Sequence, residues 1–175
     1  MKIACIIPSR YASTRLPGKP LRMIAGKTLV RRVYERAILA MLPDVVIVAT
    51  DHKDVEKEVR SFGGDVVMTS ADHPTGTDRL AEVAESLPDY DIIVNVQGDE
   101  PFIASSQLRA IAGCFDNPDT QIATLVKPFG LNASMELIEN PNSPKVVVSN
   151  DGFALYFSRS VIPYLRGVER SEWSK

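Results

Sequence analysis

Short apolar runs alternate with amphipathic segments over the first two thirds of this 175-residue chain. Apolar or nearly apolar runs of strand length occupy residues 3–7, 45–49 and 92–96, and a shorter run occupies residues 66–68. Runs that are apolar at almost every position are typical of strands buried on both faces, as in parallel sheets. The pattern therefore predicts four buried strands.

Between these runs, apolar residues recur at helical spacing. The predicted helices are residues 29–41, residues 54–62, residues 77–87, and a fourth that begins at Ser105 or Ser106. Thr77 is the expected N-cap of the third helix, because its hydroxyl can accept a hydrogen bond from a free backbone amide. Strands that alternate with helices predict βαβ units, which place helices on both faces of a mostly parallel sheet.

The pattern changes in the last third of the chain. Residues 122–126 resemble a strand in composition. Residues 145–149 and 153–157 flank the turn sequence at 150–152 and predict an antiparallel hairpin. The sequence therefore predicts an α/β fold with a mostly parallel central sheet, helices on both faces and an added antiparallel hairpin, in a single domain of residues 1–175.

Composition narrows the class of protein. Apolar residues make up 45% and charged residues 24% of the chain, which is ordinary for a soluble globular protein. A net charge of −2 argues against a dedicated nucleic-acid binder. Cys5 and Cys114 are predicted to be buried thiols, and two cysteines make no disulfide framework. The first apolar run is too short for a signal peptide or a membrane span, so we expect a cytoplasmic protein with no membrane partner.

Polar residues follow the predicted strands where each strand ends. A basic loop with Arg10, Arg15 and Lys19 follows the first strand, Asp51 follows the second, and Asp99 follows the fourth. Ligands of open α/β sheets bind beyond the carboxyl ends of the strands. Guanidinium and ammonium groups can neutralise phosphate oxygens there, although the residues alone leave a solvated basic loop equally open.

Asp99 is the candidate metal ligand. It follows a buried strand and Gly98, so its carboxylate can project into the crevice. Mg²⁺ is usually held by one or two carboxylates together with substrate phosphates. A turn aspartate beside Glu100 is the alternative, but a carboxylate that faces phosphate-binding cations is what nucleotidyl transfer requires.

Other motifs are weaker. Gly26 and Lys27 resemble the end of a P-loop, but that pattern requires glycine where Leu21 stands, which disfavours a P-loop NTPase. Residues 75–79 are either a plain helix cap or a helix start whose amides bind an anion. Arg159, after an aromatic strand, either clamps a carboxylate or lies in solvent.

Four segments, taken together, resemble the 3-deoxy-manno-octulosonate cytidylyltransferases (CMP-Kdo synthetases). They are residues 8–21, 72–79, 95–101 and 156–160, which lie in the order of that family and span most of the chain. The resemblance implies a Rossmann-like nucleotidyltransferase fold. It also implies the transfer of CMP from CTP to 3-deoxy-D-manno-octulosonate (Kdo) with Mg²⁺, which gives CMP-Kdo and pyrophosphate for lipopolysaccharide biosynthesis.

The resemblance further implies roles for individual residues. Arg10, Arg15 and Lys19 would hold the triphosphate, Asp99 would bind Mg²⁺, and Arg159 would lie near the sugar acid. The residues expected near the nucleotide, besides those three cations, are Pro8, Thr75, Gly76, Thr77, Arg79 and Gln97. Arg10, Lys19 and Asp99 are the expected catalytic residues.

Members of that family are longer than this chain. We therefore expect the chain to lack a C-terminal portion that would carry a second metal carboxylate, more of the sugar-acid site and much of the dimer contact. Asp51 could replace that carboxylate by position only. A related sugar acid such as 8-amino-Kdo, and a CTP-binding remnant with little activity, stay open as alternatives, and a homodimer is expected only if the C-terminal part is present.

Overall fold

The computed structural model describes residues 1–12, 16–130 and 132–173. Its contacts divide the chain into two compact units, Met1–Ala123 and Thr124–Lys175. The expectation of a single domain stays a prediction.

The first unit is built on a parallel sheet. The strands of this unit are β1 (Ile3–Pro8), β2 (Met23–Ile24), β3 (Lys27–Thr28), β4 (Val45–Thr50), β5 (Asp65–Met68) and β6 (Ile92–Asn95). Its helices are α1 (Leu29–Ile38), α2 (Lys53–Ser61), α3 (Gly76–Glu85) and α4 (Ser105–Gly113), with 3₁₀ turns at Lys19–Leu21 and Cys114–Asp116. The sheet order is β5-β4-β1-β6 with every pair parallel, whereas β2 and β3 form a separate small antiparallel hairpin.

Alternate residues of β1 face opposite layers of helices. Ile3, Cys5 and Ile7 pack with apolar residues of α1, α2 and α4. Ile6 packs with Val83 of α3 on the other face. Because successive side chains of a strand point to opposite faces, this arrangement confirms a sheet covered by helices on both sides.

The first turn of α3 differs from the prediction, which placed the cap at Thr77. Thr75 is the N-cap: its hydroxyl accepts from the Asp78 amide at 3.2 Å, and the Asp78 carboxylate accepts from the Thr75 amide at 3.0 Å. This reciprocal capping box satisfies two otherwise free amides, so the helix begins at Gly76 rather than after Thr77.

Two further expectations are wrong. Residues 122–126 form no strand, and Ile122, Leu125 and Val126 are exposed, because no neighbouring strand in the described part of the chain pairs with them. Cys114 is exposed in the turn after α4 rather than buried. Cys5 is buried as predicted, and its burial raises the pKa of the thiol to about 12.

The second unit contains the predicted hairpin. Its elements are α5 (Met135–Glu139), β7 (Lys145–Val148), β8 (Ala154–Ser158) and a 3₁₀ turn at Arg170–Glu172. β7 and β8 pair antiparallel, from Lys145 opposite Ser158 to Val148 opposite Ala154, with a bulge after Val147. Across both units, the described residues include no helix that is long and apolar enough to cross a membrane.

Candidate active site

A cavity of about 370 Å³ opens at the carboxyl ends of β1 and β6. It is formed by the end of β1, the loop that follows, the start of α3 and the loop after β6. Its lining residues are Pro8, Ser9, Arg10, Ala12, Lys19, Pro20, Gly76, Gln97, Gly98 and Asp99. The volume lies within the range of about 300–1,000 Å³ that is usual for small-molecule sites.

An ammonium and a carboxylate meet in this cavity. Lys19 Nζ donates to Asp99 Oδ2 at 2.6 Å, and the two side chains keep 34% and 49% of their surfaces exposed. Lys19 opens the 3₁₀ turn that follows Gly18, whose φ of 66° lies in the left-handed region that favours glycine. The Gly18 amide donates to the Tyr11 carbonyl at 3.0 Å and closes the base of the loop. Both charged groups therefore remain accessible from the cavity.

Arg10 is held by the loop before α3. Its Nη2 donates to the His73 carbonyl. The His73 ring in turn contacts the Glu82 carboxylate, which also accepts from the Ser70 amide at 3.0 Å. The hydrogen bond from His73, followed by that from Ser70, holds the pKa of Glu82 below its ordinary value. Helix α3 thus fixes the carbonyl that positions the Arg10 guanidinium.

The ends of β1 and β6 approach closely at Gly98. A Cβ atom at that position would lie 2.7 Å from the Pro8 carbonyl oxygen and 3.1 Å from Ser9 Oγ. Ser9 is buried, and its amide donates to the Ala49 carbonyl at 2.8 Å, so its backbone is fixed. Glycine is therefore the residue that fits beside Asp99.

The Asp99 carboxylate fits a divalent cation whose other ligands are phosphate oxygens of a substrate. Within the described ranges, no group of three or more His, Cys, Asp or Glu side chains could hold a metal ion by itself, and Asp99 is the one carboxylate among the described residues that line the cavity. Partial desolvation, and then the neighbouring charge of Asp99, raise the pKa of Glu100. One carboxylate plus phosphate oxygens is a usual way to bind Mg²⁺.

The structure brings together six of the residues that the sequence nominated: Pro8, Arg10, Lys19, Gly76, Gln97 and Asp99. Thr75 and Thr77 are exposed and do not line the cavity, and the Thr75 hydroxyl takes part in the helix cap. Arg15 lies outside the described residues. The binding roles of all these residues stay predictions.

Arg79, the last residue of the 72–79 segment, does not line the cavity. Its side chain is fully buried, and Nη2 donates to Asp51 Oδ2 at 2.8 Å while Nη1 donates to Thr69 Oγ1. Asp51, the positional substitute for a second metal carboxylate, is thus paired with an arginine and does not line the cavity. This pair was not predicted from the sequence, although Arg79 shares a helix face with the buried Val83 at the i, i+4 spacing.

Arg159 belongs to the second unit. Its Nη1 donates to the Pro141 carbonyl at 2.6 Å. Together with Tyr164, Arg170 and Trp173 it lines a separate cavity of about 460 Å³ within that unit. Its role toward a sugar acid stays a prediction.

Comparisons with known proteins point to one family. Residues 4–170 match the family model described as cytidylyltransferase. The chain is 53% identical to a 3-deoxy-manno-octulosonate cytidylyltransferase of Bacteroides thetaiotaomicron over 100% of this chain and 70% of the relative. It is 54% identical to the enzyme of the same name from Yersinia pseudotuberculosis, over 100% of this chain and 68% of the relative.

A solved structure supports the same grouping. It is described as CMP:2-keto-3-deoxy-manno-octonic acid synthetase complexed with CTP, and it is 44% identical to this chain with a TM-score of 0.88. The match covers 95% of this chain and 68% of the other. This likeness confirms the nucleotidyltransferase fold that the sequence predicted.

Proposed function

We propose that this chain, which belongs to the cytidylyltransferase family and groups there with the 3-deoxy-manno-octulosonate cytidylyltransferases, transfers CMP from CTP to Kdo. The products are CMP-Kdo, an activated sugar for lipopolysaccharide biosynthesis, and pyrophosphate. The observation that carries the proposal is the meeting of Lys19 and Asp99 in a cavity at the carboxyl edge of the sheet.

The cations of the cavity bind the triphosphate. Lys19 offers a compact charge, and Arg10 offers a planar donor group that is already oriented by its bond to the His73 carbonyl. A donor that is fixed before the substrate arrives loses little conformational entropy on binding. These two residues therefore also stabilise the charge that develops on the departing pyrophosphate.

In the reaction, the anomeric hydroxyl of Kdo attacks the α-phosphorus of CTP. A new oxygen–phosphorus bond forms, the bond from the α-phosphorus to the bridging oxygen breaks, and the hydroxyl proton leaves to solvent. Asp99 holds a divalent metal ion, which is the cofactor typical of CTP-binding nucleotidyltransferases, and we assign it as Mg²⁺. When bound, such an ion neutralises phosphate charge and lowers the pKa of a coordinated hydroxyl.

The nucleotide base lies near Gly76 and Gln97. Both line the cavity, and the primary amide of Gln97 carries a donor and an acceptor, as the edge of a pyrimidine requires. The Gln97 amide donates to Asn95 Oδ1 at 3.2 Å, which sets its orientation. Gly76 lets a ligand approach the first turn of α3 closely. Thr75, in the cap of that turn, lies next to this part of the site.

Arg159 is assigned to the sugar acid. An arginine can bind a carboxylate through two parallel hydrogen bonds, which a lysine cannot reproduce. Arg159→Lys should therefore raise KM for Kdo about tenfold or more and leave the Kd for CTP unchanged.

The homodimer and the cytoplasmic location expected from the sequence stay predictions.

The test combines turnover with binding. Pyrophosphate release is measured from CTP, Kdo and Mg²⁺, with 8-amino-Kdo as a competing acceptor, and CTP binding is measured by calorimetry. Lys19→Met should lower kcat/KM by about 10²–10³, the usual loss for one charge-stabilising donor. Lys57→Met, which changes an exposed lysine on α2, is the matched control and should have no effect.

The outcomes separate the alternatives. Turnover with Kdo supports the proposal, and a higher kcat/KM with 8-amino-Kdo would assign the related sugar acid instead. CTP binding without any turnover would support the CTP-binding remnant. A chain that neither binds CTP nor releases pyrophosphate would contradict the proposed function.

A further inference from the structure

We propose that the buried ion pair between Asp51 and Arg79 positions the end of β1, where Ser9 and Arg10 face the nucleotide cavity. Arg79 then acts as a positioning residue and does not contact the nucleotide. The inference rests on the proposed function of that cavity. Its first support is burial: Arg79 is fully buried, 14% of the Asp51 side chain is exposed, and their charged atoms lie 2.8 Å apart.

A continuous chain of hydrogen bonds leads from this pair to the phosphate-binding loop. Arg79 Nη1 donates to Thr69 Oγ1, and Thr69 donates through both its hydroxyl (3.1 Å) and its amide (2.9 Å) to the Thr50 carbonyl. Thr50 Oγ1 then donates to the Ser9 carbonyl at 2.8 Å. The ends of β5, β4 and β1 are thereby tied to helix α3, and the last link is the residue before Arg10.

The same link reaches the other side of the cavity. Ser9 is a close neighbour of Gly98, since a Cβ atom added at Gly98 would lie 3.1 Å from Ser9 Oγ. We expect a displacement of Ser9 to shift its close neighbour Gly98 and with it Asp99. Arg79 in this way influences both the guanidinium and the carboxylate of the site without touching a ligand.

Stability alone does not account for this pair. Arg79 Nε and Asp51 Oδ1 are buried and find no hydrogen-bond partner among the described residues. A buried ion pair with unmatched polar atoms is often no more stabilising than apolar residues of similar volume. Its location between the strand ends that carry the site is better explained by positioning.

The decisive comparison uses three variants: Asp51→Asn, Arg79→Met and the double variant. Each single substitution removes one partner of a buried pair and should lower Tm. The double variant removes both charges and should recover much of that Tm. We expect the double variant nevertheless to bind CTP about tenfold more weakly by calorimetry, because the tie to Ser9 stays broken. A double variant with recovered Tm and wild-type CTP affinity would overturn the inference.

A matched control uses a surface ion pair that also joins an arginine to a carboxylate. Glu56 and Arg60 lie one turn apart on α2, with 2.9 Å between their charged atoms. The double variant Glu56→Gln/Arg60→Met should change neither Tm nor CTP affinity appreciably, since exposed pairs of this kind contribute little. A loss of CTP affinity in this control equal to that of the buried double variant would overturn the inference.

Thr50 gives a second test that leaves both buried charges in place. Thr50→Val keeps the shape of the side chain but removes the hydroxyl that holds the Ser9 carbonyl, whereas Thr50→Ser keeps that hydroxyl. We expect Thr50→Val to bind CTP several-fold more weakly and Thr50→Ser to bind it as the wild type does. Equal affinities of the two variants for CTP would overturn the inference.

Hydrogen exchange separates this inference from the proposed function. Amide exchange of residues 9–12, measured without ligand, should be about tenfold faster in the Asp51→Asn/Arg79→Met variant and in Thr50→Val than in the wild type. That readout does not depend on CTP, so it distinguishes a failed positioning role from a cavity that binds another ligand. Unchanged exchange in both variants would overturn the inference.

Discussion

Gly98→Ala tests how closely the two strand ends must approach at the cavity. The new methyl group would lie 2.7 Å from the Pro8 carbonyl oxygen, whereas ordinary contacts begin at 3.4 Å. The obstacle is backbone, so it cannot turn away as the end of a side chain can. The two segments must therefore separate by about 0.7 Å, the difference between those distances.

That separation acts on the groups that perform the proposed reaction. Asp99 follows Gly98 directly, and Arg10 lies two residues after Pro8, so the carboxylate and the guanidinium move apart. Because a misplacement of about 1 Å can cost about 10²-fold in rate, we expect kcat/KM to fall about 10- to 100-fold. Overpacking of this kind also costs about 1–3 kcal/mol of stability. In a chain of this length that corresponds to about 2–4 °C in Tm for each kcal/mol.

Pyrophosphate release and thermal unfolding, measured side by side, check both effects. Gly113→Ala is the control, since it has open space at the end of α4 and a helical φ of −63°. Wild-type kcat/KM and Tm in Gly98→Ala would refute the close-approach reasoning.

Three further predictions concern the same edge of the sheet. Asp99→Asn should lower kcat by about 10²-fold or more and raise the Mg²⁺ concentration that gives half-maximal turnover. Loss of the exposed pair with Lys19 should change the free energy of unfolding by less than about 1 kcal/mol. A variant whose turnover depends on Mg²⁺ as that of the wild type does would contradict the metal assignment. The raised pKa of Glu100 means that the folded chain holds this proton more tightly than the unfolded chain, so the stability contributed by the protonated group is lost as pH rises through the raised pKa. The Tm of Glu100→Gln relative to the Tm of the wild type should therefore rise over that pH window. A difference in Tm that stays constant with pH would refute this prediction. Thr75→Ala removes the capping box with Asp78 and should lower the free energy of unfolding by about 0.5–2 kcal/mol. Thr75→Ser keeps the hydroxyl and should have a Tm near that of the wild type. Equal Tm values for the two variants would contradict the capping role of Thr75.

The central sheet could be predicted because its strands are buried on both faces. In β1 every residue from Ile3 to Ile7 is buried, and such a run has no polar alternation to confuse it with an exposed segment. The same reasoning failed at residues 122–126, where an apolar composition met no partner strand. It also missed the two-residue strands β2 and β3, which are too short to show any periodicity. Apolar content therefore identifies a strand only where the fold supplies a neighbour.

The candidate site could be predicted in part, for a topological reason. Lys19 and Asp99 are 80 residues apart in sequence, yet the loops that carry them follow β1 and β6, which are parallel neighbours. Carboxyl ends of adjacent parallel strands meet at one edge, so residues at those ends converge whatever their separation in sequence. Which cation faces which carboxylate depends on loop geometry, and no spacing rule encodes that.

Arg79 shows where sequence reasoning ends. Helical spacing places it on the same face as Val83, but a long cation on an apolar face can either extend its charge to water or pair inside the protein. The choice depends on Asp51, 28 residues earlier, and on Thr69, which lies at the end of the neighbouring strand. Only the side-by-side order of β4 and β5 brings those two acceptors together. The basic residues of the motifs therefore divide into cations that face the cavity, Arg10 and Lys19, and a cation that holds the strand ends in place, a division that depends on the sheet order and not on the motif.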